Sequence, residues 1–332
     1  MRQIIRWCRR RPVRTLAGLV LAAFVVLNAL AYQHAHAMTH FVAADPAGPQ
    51  GRPESLSLWE KGRVLLFGVR RPRPRGPDTP ARAALRFTTH TVPGRDGGLE
   101  AWYVPSEVPG AVVLVFHGYG GCKARMLSEV EGFHALGCAC FAVDFRGCGG
   151  SAGEVTTVGY READDVADAA DYARARWPGR PLVLFGQSMG AAAVLRAVAG
   201  GQVRPDAVVL ECPFDRMLSA VRARFGAMNV PSFPFAETLV FWGGVQHGFN
   251  AFGHNPVDYA RSAGCPVLLL HGAADARVRL AEVRAIHDAL PGEKALHVFA
   301  GLGHQSYARA SRAEWEEQVG AFLGKHAPAA AR

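Results

Sequence analysis

The polar and apolar positions of this chain change rhythm once the first quarter is past. From residue 87 onward, short runs rich in Val, Leu and Phe stand at 111–116, 138–144, 182–185, 207–210, 266–270 and 295–299, separated by amphipathic stretches such as 160–176 and 280–290. Runs of that length that are apolar on both faces predict strands covered above and below. Their alternation with helical patterns predicts an α/β fold with a mainly parallel central sheet and helices on both faces. Two further segments, 85–92 and 99–104, predict an antiparallel hairpin that opens this region.

Ahead of the hairpin the pattern is different. Residues 16–32 form a nearly unbroken apolar run, preceded by Arg2, Arg6, Arg9, Arg10, Arg11 and Arg14. The run sits at the lower edge of what a helix needs to cross the hydrocarbon and above the usual apolar core of a signal peptide. Two outcomes follow. Its length favours a retained transmembrane signal anchor over residues 1–37, while Ala35 and Ala37 supply the small residues that would let a signal peptide be cut after Ala37. In both, the Arg cluster stays cytoplasmic and everything from Met38 lies outside, as a single-pass membrane protein or a secreted one.

Residues 38–84 read as a connector, with a short helix expected around 57–66 and then the run Arg70-Arg71-Pro72-Arg73-Pro74-Arg75-Gly76-Pro77. That density of proline excludes a regular helix or a central strand. It leaves a solvated polyproline spacer or a basic strip against anionic lipid headgroups.

The composition, with 49% hydrophobic and 20% charged residues in a chain of 332, excludes a wholly disordered chain. The net charge of +9 suggests nucleic acid until it is divided along the chain. Residues 1–40 hold six Arg and no acid, 41–86 hold nine basic and four acidic residues, and 87–332 hold 22 basic and 24 acidic. The basicity belongs to the N-terminus, and no nucleic-acid partner is expected.

Chemistry in an open α/β sheet sits where strands end, so the informative pattern is a nucleophile on a strand-to-helix turn. Gly-x-Ser-x-Gly occurs twice. The copy around Ser151 lies several residues beyond its strand, and the β-branched residues after it start no helix. The copy Gly186-Gln187-Ser188-Met189-Gly190 directly follows an apolar strand and directly precedes Ala191-Ala192-Ala193, a strong helix start. A serine hydroxyl needs a base, an acid that orients the base, and donors for the developing oxyanion. Asp275 in His271-Gly272-Ala273-Ala274-Asp275 and His304 in Gly301-Leu302-Gly303-His304 follow Ser188 in that order, each just past a strand. Asp215, near the end of the preceding strand, is a rival for the acid, and Asp144 and His117 read as residues that hold loops together.

This order of nucleophile, acid and base, each on a loop after a strand, resembles the α/β-hydrolase fold superfamily over roughly residues 85–326, in its monoacylglycerol-lipase-like and serine-aminopeptidase-like branch. The resemblance implies a serine hydrolase with Ser188, Asp275 and His304 as catalytic residues and Gly186 and Gly190 as the nucleophile elbow. It also implies oxyanion donors in the backbone N–H groups of Met189 and of Tyr119 in His117-Gly118-Tyr119-Gly120-Gly121, the latter to within one residue. Residues 214–262 then occupy the place of a cap, and their nine aromatics form either an apolar wall for an acyl group or the cap's own core. Residues 327–332 read as a tail.

No metal-ligand spacing is present and no cofactor is expected; His34, His36 and His40 cluster without a carboxylate or thiolate beside them. The seven cysteines lack zinc-type spacing. Buried free thiols are the default for them, and Cys122 with Cys148, after strands that are neighbours in the family's sheet, is the pair to test for a disulfide. With no acidic or basic cluster evident, a small-molecule or lipid-like carboxylic ester is the first substrate class. A peptide, for a serine aminopeptidase, is the second. A silent hydrolase-like domain that binds a partner at the membrane is the reading of another class.

Overall fold

The computed structural model describes residues 12–43, 59, 62–63, 66, 68–69, 71–108 and 110–327. A long helix α1 (Pro12–Thr39) leads into strand β1 (Phe41–Val42), which pairs in parallel with β2 (Arg71–Pro72). The main sheet follows: β3 (Thr88–Val92), β4 (Leu99–Val104), β5 (Val112–Phe116), β6 (Ala139–Val143), β7 (Leu182–Gln187), β8 (Ala207–Glu211), β9 (Val267–Gly272) and β10 (Lys294–Phe299). Its eight strands lie in the order β10-β9-β8-β7-β5-β6-β4-β3, parallel from β10 to β6, with β4 antiparallel to β6 and β3 antiparallel to β4.

Alternation along the strands explains why both faces are covered. Val112, Leu114 and Phe116 of β5 join one apolar layer with Leu182 and Leu184 of β7, while Val113, Val115, Val183 and Phe185 join the other. The first layer is closed by helices α3 (Glu162–Arg176) and α4 (Met189–Ala199) and by α7 (Pro256–Ala260) and α8 (Leu280–Ala289). The second is closed by α2 (Leu127–Ala135) and by α10 (Arg312–His326), which follows the single turn α9 (Tyr307–Ala310). Phe133 of α2 meets Trp315 of α10 edge-on at 4.9 Å between ring centroids, and both are fully buried.

Successive strands β5, β6 and β7 place β6 on one side of β5 and β7 on the other. The order reverses there, so the loops after β5 and β7 diverge and leave a crevice at the carboxyl ends of the strands. Over that crevice stand α5 (Met217–Ala227) and α6 (Phe235–His247), within the span expected for a cap.

The connector departs from expectation. Residues 71–75 are laid against the body: besides pairing with β1, Arg73 donates through Nη1 to the Ser151 carbonyl at 2.7 Å and through Nη2 to that of Gly153. Proline at every other position excludes a ladder of its own but suits an edge segment whose carbonyls and arginines bond outward, so this stretch is neither a solvated spacer nor a free basic strip. The helix expected around 57–66 lies mostly outside the described residues, where Trp59, Gly62, Arg63 and Leu66 are helical. The tail lies outside them too, apart from Ala327.

Among the described residues all six cysteines are free thiols. Cys122 and Cys148 lie on loops after the adjacent strands β5 and β6 but form no bridge. Burial, with the Asp144 carboxylate next in importance, pushes both thiols up and keeps them protonated.

Candidate active site

Ser188 stands between β7 and α4 with φ 51° and ψ −108°, a backbone geometry that side chains other than glycine rarely adopt. The flanking glycines are demanded by space. A Cβ on Gly186 would lie 2.6 Å from the Gly190 backbone, and one on Gly190 would lie 2.5 Å from the Phe116 carbonyl oxygen. The turn is pinned by the Ser188 N–H, which donates to the Glu211 carbonyl of β8 at 2.8 Å. Three buried alanines, Ala191, Ala192 and Ala193, let α4 lie close on the sheet.

The loops after β9 and β10 bring Asp275 and His304 to this turn. His304 Nε2 lies 3.2 Å from Ser188 Oγ, and His304 Nδ1 lies 2.7 Å from Asp275 Oδ2. The other oxygen, Asp275 Oδ1, accepts the amides of Arg277 (2.7 Å) and Val278 (3.0 Å). Burial works against the charge on Asp275, but the bonds from His304 and the two amides outweigh it and hold the carboxyl below its usual pKa. An ionised Asp275 fixes the proton on Nδ1, which leaves the Nε2 lone pair toward the serine hydroxyl.

The other sequence-selected residues fall as follows. Met189 opens α4, so its amide has no acceptor within the helix. Gly118 rests against the elbow, with its added Cβ 3.6 Å from that of Ser188, and carries Tyr119 to the rim of the same cleft. Asp215 does not reach His304; its nearest cation is Arg216 at 3.8 Å. Ser151 is buried and donates to the Asp144 carbonyl at 2.6 Å, a structural post. Asp144 and His117 hold loops: Asp144 Oδ1 accepts the Lys123 amide at 2.7 Å, and His117 Nε2 accepts the Phe145 amide at 3.1 Å. One group of metal-ligating types occurs among the described residues, Cys212, Asp275 and His304, with donor atoms within 4.8 Å of one another. It suits a metal poorly, since burial holds Cys212 as a thiol and the other two are bonded to each other.

Known proteins share this fold. The structure of esterase Pf2001 from Pyrococcus furiosus superposes with a TM-score of 0.66 over 77% of this chain and 97% of that one, at 23% identity. XC6422 from Xanthomonas campestris, an α/β serine hydrolase without a lid, matches with a TM-score of 0.54 over 78% of this chain and all of its own, at 20% identity. The chain has the α/β-hydrolase fold. Residues 107–234 match the family described as serine aminopeptidase, S33. Protein YqkD of Bacillus subtilis is 25% identical over 247 residues, 72% of this chain and 80% of its own. The lysophosphatidylserine lipase ABHD12 of Macaca fascicularis is 25% identical over 213 residues, and the chain spans about half of it, 48%. The monoacylglycerol lipase of Mycolicibacterium smegmatis is 25% identical over 249 residues, 64% of this chain and 88% of the lipase.

Three features of the candidate site carry no signal in the sequence. First, α1 belongs to it. Met38 and Thr39, the end of that helix, line an apolar cavity with Val158, Met217, Val221, Leu239, Val240 and Phe249, and the Tyr119 hydroxyl donates to the Met38 carbonyl at 2.5 Å. Second, the cap aromatics make neither of the expected structures. Phe233, Phe235, Phe241 and Phe252 are exposed, Phe214 belongs to the main core, and Trp242 stacks edge-on against Tyr32 of α1; the cavity wall is largely aliphatic, with Phe249 its one cap aromatic. Third, the cleft of about 490 Å³ at Ser188 is lined by Arg71, Arg125, Arg224 and Arg277 and by no Asp or Glu. The expectation of an uncharged pocket fails because these arginines come from four separate segments.

Proposed function

We propose that the protein is a membrane-anchored serine hydrolase that cleaves a carboxylic ester through an acyl-Ser188 intermediate. The observation that carries this reading is the chain of contacts from Asp275 through His304 to Ser188 Oγ, at the mouth of a cavity lined by apolar side chains. Ser188 Oγ attacks the ester carbonyl as its proton passes to His304 Nε2, and the tetrahedral oxyanion is received by the N–H groups of Met189 and Tyr119. The alcohol leaves with the proton from His304. Water then gives a proton to the same nitrogen, attacks the acyl carbonyl, and releases the acid and a restored serine.

The cleft favours an ester over a peptide with a free N-terminus. An aminopeptidase needs an anion to hold the substrate's ammonium group, and here that place is lined by cations. The relatives named as lipases support the same choice.

The anchor reading rests on α1. Val13–Thr39 is long and apolar enough to cross a membrane, and its apolar residues Leu16, Leu19, Val20, Leu21 and Phe24 are exposed. A helix of 27 residues is about 40 Å long against about 30 Å of hydrocarbon, so its last turns stand clear of the lipid. The C-terminal half of the helix bonds to the cap: Trp242 Nε1 donates to Asn28 Oδ1 at 3.0 Å and Gln246 Nε2 to the Tyr32 carbonyl at 2.8 Å. Ala35 and Ala37 are buried, which argues for a retained helix with the arginine-rich end cytoplasmic and the hydrolase domain outside.

Parallel assays of the detergent-solubilised full chain with aryl esters and with aminoacyl anilides test the reaction. Turnover of the esters with a burst of alcohol release is expected, and exclusive cleavage of the anilides would overturn the choice of bond.

A further inference from the structure

Arg71, Arg224 and Arg277 converge on one side of the cleft from β2, α5 and the loop after β9. The guanidinium carbons of Arg71 and Arg224 lie 5.0 and 4.8 Å from the centroid of the Tyr119 ring, so both charges gather on the residue proposed as an oxyanion donor. Among the described residues none of the three side chains has a carboxylate within ion-pair distance, and no acid lines the cleft. The contrast lies two residues away, on another face of the helix. Arg222, also on α5 but outside the cleft, is paired with Glu237 at 2.5 Å. Burial first, and then the like charges of Arg71 and Arg277, lower the pKa of Arg224, while Tyr119 opposes the shift. Like charges held together in a partly desolvated cleft are costly unless an anion joins them.

The cleft also continues into the apolar cavity, since Tyr119, Val158, Ala220 and Arg224 line both. An acyl chain in the cavity puts the ester carbonyl at Ser188 and the alcohol portion among the arginines.

Building on the ester-hydrolase reading, we infer that Arg71, Arg224 and Arg277 form an anion subsite for the alcohol portion of the substrate, which carries a phosphate or carboxylate of its own. The group is a planar or tetrahedral oxyanion, the geometry that guanidinium forks bind in paired hydrogen bonds.

The test compares two lipids that differ only by a phosphate on the glycerol, 1-oleoylglycerol and 1-oleoylglycerol 3-phosphate, in neutral detergent so that no bilayer charge contributes. The expected result is a kcat/KM at least about tenfold higher for the phosphate, the scale of charge-assisted hydrogen bonds. Arg71→Gln with Arg277→Gln, and separately Arg224→Gln, should each shrink that ratio about tenfold, while Arg222→Gln should leave it as it was. Equal kcat/KM for the two lipids, or a preference that survives all three substitutions, overturns the subsite and leaves the hydrolase reading standing. The converse is read in Ser188→Ala protein by calorimetry. Tighter binding of the phosphate than of the neutral lipid, weakened about tenfold by Arg71→Gln with Arg277→Gln, supports the subsite even if neither lipid is turned over. Competition by inorganic phosphate without any preference for the phosphorylated lipid would also overturn it, by assigning the arginines to a free ion.

Discussion

The floor and the rim of the cleft are built on different principles. On the floor, Ser188, Asp275 and His304 ride on loops that leave parallel strands, and the first two are held by backbone contacts that tolerate little change: glycines with no room for a Cβ, an amide pinned by β8, a carboxylate held by two consecutive amides. On the rim, Tyr119 and Arg277, from the loops after β5 and β9, meet Met38 at the end of α1, Arg71 of β2 and Arg224 of α5 through side chains and one helix end. Loops on parallel strands therefore hold the candidate triad, while side chains from the added segments line the opening above it.

The sharpest way to break this comparison is to remove the nucleophile. Ser188→Ala should lower turnover on the order of 10⁶-fold with little change in substrate affinity, as in other enzymes with this arrangement. Ser151→Ala should keep turnover within the same order of magnitude while lowering stability, since it deletes the post under Asp144. Equal loss in both would move the nucleophile. Next in size is the orienting acid. Asp275→Asn should cost on the order of 10⁴-fold in kcat by letting the imidazole adopt the wrong tautomer, and Asp215→Asn far less. The reverse ranking would assign the acid to Asp215.

The two regions differ as much in how far the sequence discloses them. The central strands β5, β6 and β8 were legible because each is a short apolar run whose burial on both faces leaves no alternation to misread. The floor was legible because spacing past a strand end is a local property of Gly186-Gln187-Ser188 and of Gly272 to Asp275. The rim was not. Arg71 lies in a proline-rich stretch that reads as a spacer, Arg224 lies beside a surface arginine with which it shares a helix but no environment, and Met38 closes a helix that composition assigns to the membrane. Only folding places them together, and no periodicity marks such a meeting. The aromatics of 214–262 misled for a related reason: an enrichment says nothing about which way a ring faces, and four of the nine face outward.

Predictions on the rim are smaller and depend on substrate. Removing residues 1–37 from the purified protein should leave short-chain ester turnover within a few-fold and lower kcat/KM for long-chain esters by about tenfold, because the cavity wall at Met38 loses its support. A uniform loss at every chain length would instead place α1 in folding of the floor. Tyr119→Phe, which deletes one hydrogen bond to the Met38 carbonyl, should cost about threefold to tenfold in the same long-chain assay.

The junction of α1 with the cap also predicts a pH dependence. His247 of α6 stacks on His40 at 5.3 Å, and burial, followed by the nearby His40 and Arg161, holds its pKa at about 4. A free histidine titrates near about 6.5, so the unfolded chain binds the proton first as pH falls. The contribution of His247 to stability is therefore complete above about 6.5 and is lost progressively as pH falls toward about 4. His247→Gln should flatten that part of the dependence of Tm on pH, and an unchanged slope would remove His247 as its cause.

The central claim, that Ser188 is the activated nucleophile, is met most directly by mapping the site of covalent capture. A fluorophosphonate probe applied to the detergent-solubilised full chain, followed by proteolysis and mass spectrometry, should place a single adduct on the peptide containing Ser188, at a rate reduced by His304→Ala. An adduct on Ser151 or any other serine, or labelling at Ser188 that proceeds equally fast without His304, would contradict it.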